Sequence, residues 1–146
     1  VNEIKREVRI LIAEDDDGHA ELIRDSLKEA GVTNEIIRFR DSQETIDYIM
    51  NRSDLDRRPC LLLLDIRMPR MDGVEVLKRL KSDPRTRNMP VIMLTTTDDP
   101  REIRQCYDLG CNCYVTKPVD YQKFSDVMNR LGLFLVIIQL PDPAGG

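Results

Sequence analysis

Apolar residues in this chain fall into short runs that each stop on a residue able to do chemistry. Arg9-Ile10-Leu11-Ile12-Ala13 gives way to Glu14-Asp15-Asp16-Asp17, and Cys60-Leu61-Leu62-Leu63-Leu64 ends on Asp65. Val91-Ile92-Met93-Leu94 leads into Thr95-Thr96-Thr97, and Cys113-Tyr114-Val115-Thr116 into Lys117-Pro118. Short, nearly continuous apolar runs bounded by turn formers predict strands buried in a sheet. Asn34 to Arg40 (NEIIRFR) reads as one more short strand.

Between the strands the apolar spacing changes to that of helices. Ala20, Leu22, Ile23, Leu27 and Ala30 form one stripe, closed by Gly31 as a C-terminal cap. Asp41, with Glu44 three residues on, resembles a capping pair ahead of Ile46, Ile49 and Met50. Val74, Val76, Leu77 and Leu80 mark a third helix, followed by a polar surface loop from Lys81 to Pro90. The fourth has the clearest start: Asp99 caps, Pro100 takes the first helical position, Glu102 follows, and Gly110 closes it. A fifth helix is expected from about Asp120 to Leu131, with Phe124, Val127, Met128 and Leu131 inward.

Strands alternating with helices across short loops mean an α/β fold with a parallel sheet covered on both faces. Right-handed crossovers and common strand orders favour the flavodoxin-like arrangement 2-1-3-4-5. In such sheets ligands sit beyond the carboxyl ends of the strands, at the switch point between strands 1 and 3. Those strands end in Glu14-Asp15 and Asp65.

Length and charge narrow the classes. At 146 residues with 41% hydrophobic content, one well-buried domain is expected. A net charge of -4 argues against a general nucleic-acid surface, although Arg52, Arg57 and Arg58 leave room for a local basic patch. No run approaches the roughly 20 apolar residues of a membrane span, and the mixed charges of Glu3, Lys5, Arg6 and Glu7 do not suit a signal peptide, so a cytoplasmic location is expected. Cys60, Cys106, Cys111 and Cys113 contain no C-x-x-C pair and are read as reduced, structural thiols.

Carboxylates converging on one cleft repel one another, and a hard divalent cation with oxygen ligands relieves that repulsion. Mg²⁺ fits best, with Asp15 and Asp65 as direct ligands, Glu14 direct or through water, and a main-chain carbonyl near Arg67 as a further ligand. With the charge held, the Asp65 carboxylate can attack a phosphoryl donor and become an acyl phosphate. The Lys117 ammonium and Thr95 hydroxyl would meet the transferred oxygens.

These features resemble the receiver domain of two-component response regulators. The motifs fall in order: Glu14-Asp15, Asp65 within LLLLDIRMPRMDG, Thr95 after PVIML, and Lys117-Pro118. The resemblance covers about residues 8 to 135 and leaves 136 to 146 as a tail. It implies that Asp65 accepts phosphate from a histidine kinase, that Glu14 and Asp15 hold Mg²⁺ with it, and that Thr95 and Lys117 contact the phosphoryl group. It makes Tyr114 the aromatic switch: as the Thr95 hydroxyl moves toward phosphate, the ring fills the vacated space, unless Tyr114 only packs at an edge strand. It implies a protein that catalyses only its own phosphotransfer and dephosphorylation.

Several residues have plainer readings. Asp16 and Asp17 are helix-start acids, His19 is structural or exposed, and Met68, Met71, Val74 and Val76 are core rather than a partner surface. Arg67 either projects its guanidinium near the phosphoryl group or faces solvent. No segment long enough for an output domain follows the last helix, so signalling by protein contact is expected. The apolar run Leu133 to Pro141 is either a continuing helix or surface buried against a second copy or a kinase. A homodimer through the fourth helix, fifth strand, fifth helix and tail is expected. The loops Met50 to Pro59 and Lys81 to Pro90, Thr96 and the tail resemble single-domain regulators that partner phytochrome-type kinases.

The rival classes differ at named positions. A phosphatase of the haloacid dehalogenase type would carry its nucleophile after strand 1 in a D-x-D pattern, whereas Asp65 follows strand 3 with Arg67 at its +2. A pseudo-receiver binding module would keep the fold without the phosphate cycle. A flavodoxin-like cofactor binder would need a phosphate loop after strand 1, where this chain has acids instead.

Overall fold

The computed structural model describes residues 8–52, 59–69, 71–96, 99–117, 122–123 and 125–126. Its strands are β1 (Arg9–Ala13), β2 (Ile36–Phe39), β3 (Cys60–Asp65), β4 (Val91–Thr95) and β5 (Cys113–Thr116). Its helices are α1 (Asp17–Glu29), α2 (Ser42–Met50), α3 (Gly73–Ser82) and α4 (Pro100–Asp108). The strands form one parallel sheet in the order β2-β1-β3-β4-β5. This is the flavodoxin-like arrangement expected from the alternating pattern.

Side-chain alternation splits the sheet into two apolar layers. Ile10, Ile12, Leu61, Leu63, Ile92, Leu94, Cys113 and Val115 pack with Ile23 and Leu27 of α1. Leu11, Leu62, Leu64, Val91 and Met93 pack on the other face with Ile46 and Ile49 of α2, Val76, Leu77 and Leu80 of α3, and Cys106 of α4. Met68 is buried in that second layer, with Met71 and Val74 packed against it, so this stripe is core.

The helix starts follow local chemistry. The carboxylates of Asp16, Asp41, Asp72 and Asp99 accept hydrogen bonds from the main-chain N–H groups of His19, Glu44, Glu75 and Arg101, satisfying donors that the first turn leaves open. Gly31 and Gly110, at φ 85° and 104°, follow α1 and α4 in the left-handed conformation that ends a helix.

Three details differ from the pattern-based reading. Leu22 lies half exposed on α1, because the stripe toward the sheet is carried by Ala20, Ile23 and Leu27. β2 is shorter than Asn34–Arg40, an edge strand in which only Phe39 is buried. Lys81 and Ser82 belong to α3 rather than to the loop, and the Lys81 ammonium donates to the carbonyls of Arg87 and Met89 at 3.0 and 2.8 Å. Residues 122–123 and 125–126 are helical. Phe124, Val127, Met128, Leu131, the run from Leu133 to Pro141, the boundary at 135/136, and Arg57 and Arg58 lie outside the described residues.

Among the described residues no helix is long and apolar enough to cross a membrane. All four cysteines are free and buried, and burial pushes the thiols of Cys106 and Cys111 up to about 11 and about 12, which keeps them protonated and unreactive.

Gly73 marks a close approach between the end of β3 and the start of α3. Its N–H donates to the carbonyl of Ile66 at 2.6 Å, and a methyl group at its Cα would lie 2.8 Å from the Cα of Ile66. Those neighbours are main chain and cannot rotate away. Gly73→Ala should therefore destabilise the protein by about 1–3 kcal/mol through forced backbone shift, read as a lower urea midpoint with an unchanged slope.

Candidate functional site

Register decides what meets at the carboxyl edge of the sheet. Ala13 lies opposite Leu64, so Glu14, one residue on, falls alongside Asp65. Alternation places Glu14, Asp65 and Lys117 in the layer of Ile12, Leu63 and Val115, and Thr95 and Tyr114 in the other. Two acids and one amine thus enter the same space from three strands.

The resulting contacts are close. The Lys117 ammonium lies 2.7 Å from Glu14 Oε2 and 3.2 Å from Asp65 Oδ2. Glu14 is fully buried and Asp65 almost so, whereas Asp15 is exposed at the rim. Glu14, Asp15 and Asp65 each bring a carboxylate oxygen within 4.8 Å of the others. The Lys117 main-chain N–H donates to the Thr95 carbonyl at 2.7 Å, tying β5 to β4 just beyond the sheet. Thr95 is buried and Tyr114 half-buried against the α2–α4 layer.

Burial and the neighbouring Glu14 push the Asp65 carboxyl up to about 6 from 3.8, against the opposing pull of Lys117. One ammonium therefore does not offset the crowding of the acids. An all-oxygen set of three carboxylates fits a hard divalent cation, which would be held by Asp15 and Asp65 with Glu14 beside them.

Asp16 and Asp17 sit at the start of α1, with Asp16 as its cap. His19 is partly exposed, as expected, and also makes contacts within the cluster. Its Nδ1 lies 3.1 Å from Glu14 Oε1 and 3.3 Å from the Lys117 ammonium, on a partly exposed ring at the mouth of the cluster. The signal was present in the sequence: three residues past the Asp16 cap, a helical side chain tilts back toward the helix start and so over the end of β1.

Arg67 takes the solvent-facing alternative. Its side chain is 70% exposed and its guanidinium leans toward Glu102 of α4 at 3.7 Å. Its main-chain N–H lies 3.4 Å from Asp65 Oδ1, so this residue meets Asp65 through backbone. Ile66, Arg67, Asp72, Val74, Asp99, Arg101, Glu102 and Gln105 line an open polar cleft of about 400 Å³ beside it.

Comparison with known proteins places these features in a family. Response regulator Rcp1 of Synechocystis is 34% identical over 135 residues, covering 90% of this chain and 92% of Rcp1. Its structure in a Mn²⁺-bound form superposes with a TM-score of 0.71 at 30% identity, covering 92% of this chain and 99% of that one. A response regulator receiver domain from Rhodospirillum rubrum is 47% identical, with a TM-score of 0.74 over 91% of this chain and 96% of its own. The bacteriophytochrome response regulator RtBRR gives 34% identity and a TM-score of 0.78, over 94% and 85% of the two chains. The resemblance to phytochrome-associated regulators is therefore shared by solved structures.

The model of the response regulator receiver domain matches residues 10–129, a span that takes in Glu14, Asp15, Asp65, Thr95 and Lys117 together. The chain belongs to the response regulator receiver domain family, whose work is phosphorelay signalling.

Proposed function

We propose that this protein is a response regulator that accepts a phosphoryl group on Asp65 from a histidine kinase and passes the signal on by protein contact. The observation that carries the reading is the 3.2 Å approach of the Lys117 ammonium to Asp65, inside a three-carboxylate cluster. An Asp65 oxygen attacks the phosphorus of a phosphohistidine, the P–N bond breaks, and the imidazole leaves with the bonding electrons and takes up a proton. Lys117 meets charge gathering on the phosphoryl oxygens, and Thr95 supplies a hydroxyl to the same group. Mg²⁺, held by Asp15 and Asp65 with Glu14, would neutralise the acids and polarise a phosphoryl oxygen. A main-chain carbonyl at Arg67 completes the proposed ligand set.

The protein's chemistry is confined, on this reading, to its own phosphorylation and dephosphorylation. The kinase is proposed to be of phytochrome type, on the strength of the likeness to Rcp1 and RtBRR. Free buried thiols suit a reducing compartment and support a cytoplasmic setting. No nucleic acid is assigned as a partner. Tyr114, beside β4 in the sheet, is the proposed switch residue. Assembly is proposed to be a homodimer through α4, β5, the following helix and the tail. A pseudo-receiver would lack a use for the paired Lys117 and Asp65. A haloacid dehalogenase-type phosphatase would need its nucleophile at the end of β1.

Incubation with Mg²⁺ and acetyl phosphate should add one phosphoryl group by intact mass, located on Asp65 by peptide mapping. Asp65→Asn should show no addition; labelling of Asp15, or no labelling of the wild type, overturns the reading.

Stability should report the same carboxylate. In metal-free protein Asp65 holds its proton more tightly when folded, about 6 against 3.8, so its contribution is fully present below about pH 4 and is lost as pH rises through about 6. Asp65→Asn escapes that loss. Without metal its melting temperature should exceed that of wild type by a few degrees at pH 7.5, with the gap closing by pH 4. Mg²⁺ should raise the wild-type value at pH 7.5 more than the variant's.

Light scattering tests the assembly: the 146-residue chain should be dimeric, and deletion of residues 133 to 146 should give a monomer. A monomer in both cases refutes the proposed dimer.

A further inference from the structure

Four acids in succession, Glu14 to Asp17, run from the end of β1 into the first residue of α1. Their repulsion would spread that segment unless something held its backbone. Asp16 is committed to capping α1, and Glu14 faces Lys117 and His19. What holds the main chain comes from the neighbouring edge strand.

Arg38, on β2, has a side chain only 12% exposed. Its Nε and Nη2 both donate to the main-chain carbonyl of Glu14, at 3.0 and 2.8 Å. Its Nη1 donates to Asp17 Oδ1 at 2.6 Å, where Arg40 Nη1 adds a second cation at 2.9 Å. The N–H of Glu14 donates to the carbonyl of Phe39 at 3.1 Å. β2 therefore grips both polar main-chain groups of Glu14. The gripped carbonyl lies in the same rigid peptide plane as the N–H and Cα of Asp15. Fixing that plane fixes where Asp15 starts.

We propose that Arg38 is a positioning residue for the divalent-cation site, setting Asp15 and Glu14 in place through its two-pronged hold on the Glu14 carbonyl. The inference rests on the metal site proposed above. It makes β2, which supplies no ligand, part of the machinery for cation binding. A lysine cannot reproduce the fork, since a single ammonium does not span the carbonyl and Asp17 in the same planar geometry.

The proposal has a sign that distinguishes it from simple electrostatics. Removing a cation near an acidic site should, by Coulomb's law alone, tighten binding of a divalent cation. Losing a positioning group should weaken it. Outer-shell groups that orient ligands typically matter by about 10–100-fold in metal affinity, which exceeds the screened charge effect of one partly exposed pair.

The test is calorimetric titration of Mg²⁺ into wild type, Arg38→Met, Arg38→Lys and Asp17→Asn, with apo melting temperatures measured on the same samples. Arg38→Met and Arg38→Lys should each weaken Mg²⁺ binding by roughly tenfold or more, the second despite keeping its charge. Asp17→Asn leaves the Glu14 carbonyl held and should shift affinity by less than about threefold. Equal or tighter Mg²⁺ binding by Arg38→Met overturns the proposal. So does full retention of affinity by Arg38→Lys, which is the conservative variant and the one expected to fold if Arg38→Met does not. A wild type that binds no Mg²⁺ overturns the metal site, and this inference with it.

Discussion

Two carboxylates taken out of water beside a single ammonium set the terms for this protein. Glu14 and Asp65 are buried, Asp15 stands at their rim, and Lys117 touches both buried acids. In the absence of a cation the arrangement is under electrostatic load, which appears as the rise of the Asp65 carboxyl to about 6. Burying ions is costly unless they are paired and held in register. The rest of the fold reads as the means of holding them.

The parallel sheet supplies the register. The central strands β1, β3 and β4 are buried along their whole length, so their positions are fixed by packing on both faces and cannot slip by one residue without turning their side chains over. That rigidity brings Glu14 level with Asp65 and returns Lys117 to the same layer. Beyond the strand ends the polypeptide has no such support, and separate devices take over. Gly73 lets α3 close against the main chain at the end of β3. The Lys117 N–H closes on the Thr95 carbonyl. Arg38 secures the carbonyl of Glu14.

The sheet and most of the site were legible in the sequence because both rest on strong, local signals. Runs such as Leu61 to Leu64 can hardly be anything but buried strand, and the polar residues that end each run stand out. Caps at Asp41 and Asp99 carry their own chemistry. What escaped were contacts set by three-dimensional approach between elements. His19 reaches Glu14 only because α1 starts where it does. Arg38 lies in an edge strand that looks merely mixed. Arg67 turns to Glu102, a partner on a helix far along the chain. Leu22 failed for a different reason: α1 meets the sheet along a narrow stripe, and apolar character alone does not place a residue within it.

The same contacts indicate how a charge change at Asp65 would spread. Lys117 is held at two points, by its ammonium on Glu14 and Asp65 and by its N–H on Thr95. A shift of the ammonium toward added negative charge weakens its hold on Glu14 while its backbone stays anchored to β4. Strain is then carried into the carboxyl ends of β4 and β5, where the Lys117 N–H meets the Thr95 carbonyl, rather than into solvent. Thr95 and Tyr114 lie in the layer beneath, where packing is dense and small displacements are not absorbed continuously. Arg67 lies on the other side, with its N–H at Asp65 Oδ1 and its guanidinium toward Glu102 of α4. Both routes run to the β4–α4–β5 side of the molecule, whereas β2 and Arg38 anchor the opposite side. The supports on the two sides of the buried charge thus differ in kind: an arginine fork on the main chain at the β2 edge, and side-chain ion pairs of Lys117 and Arg67 on the other side.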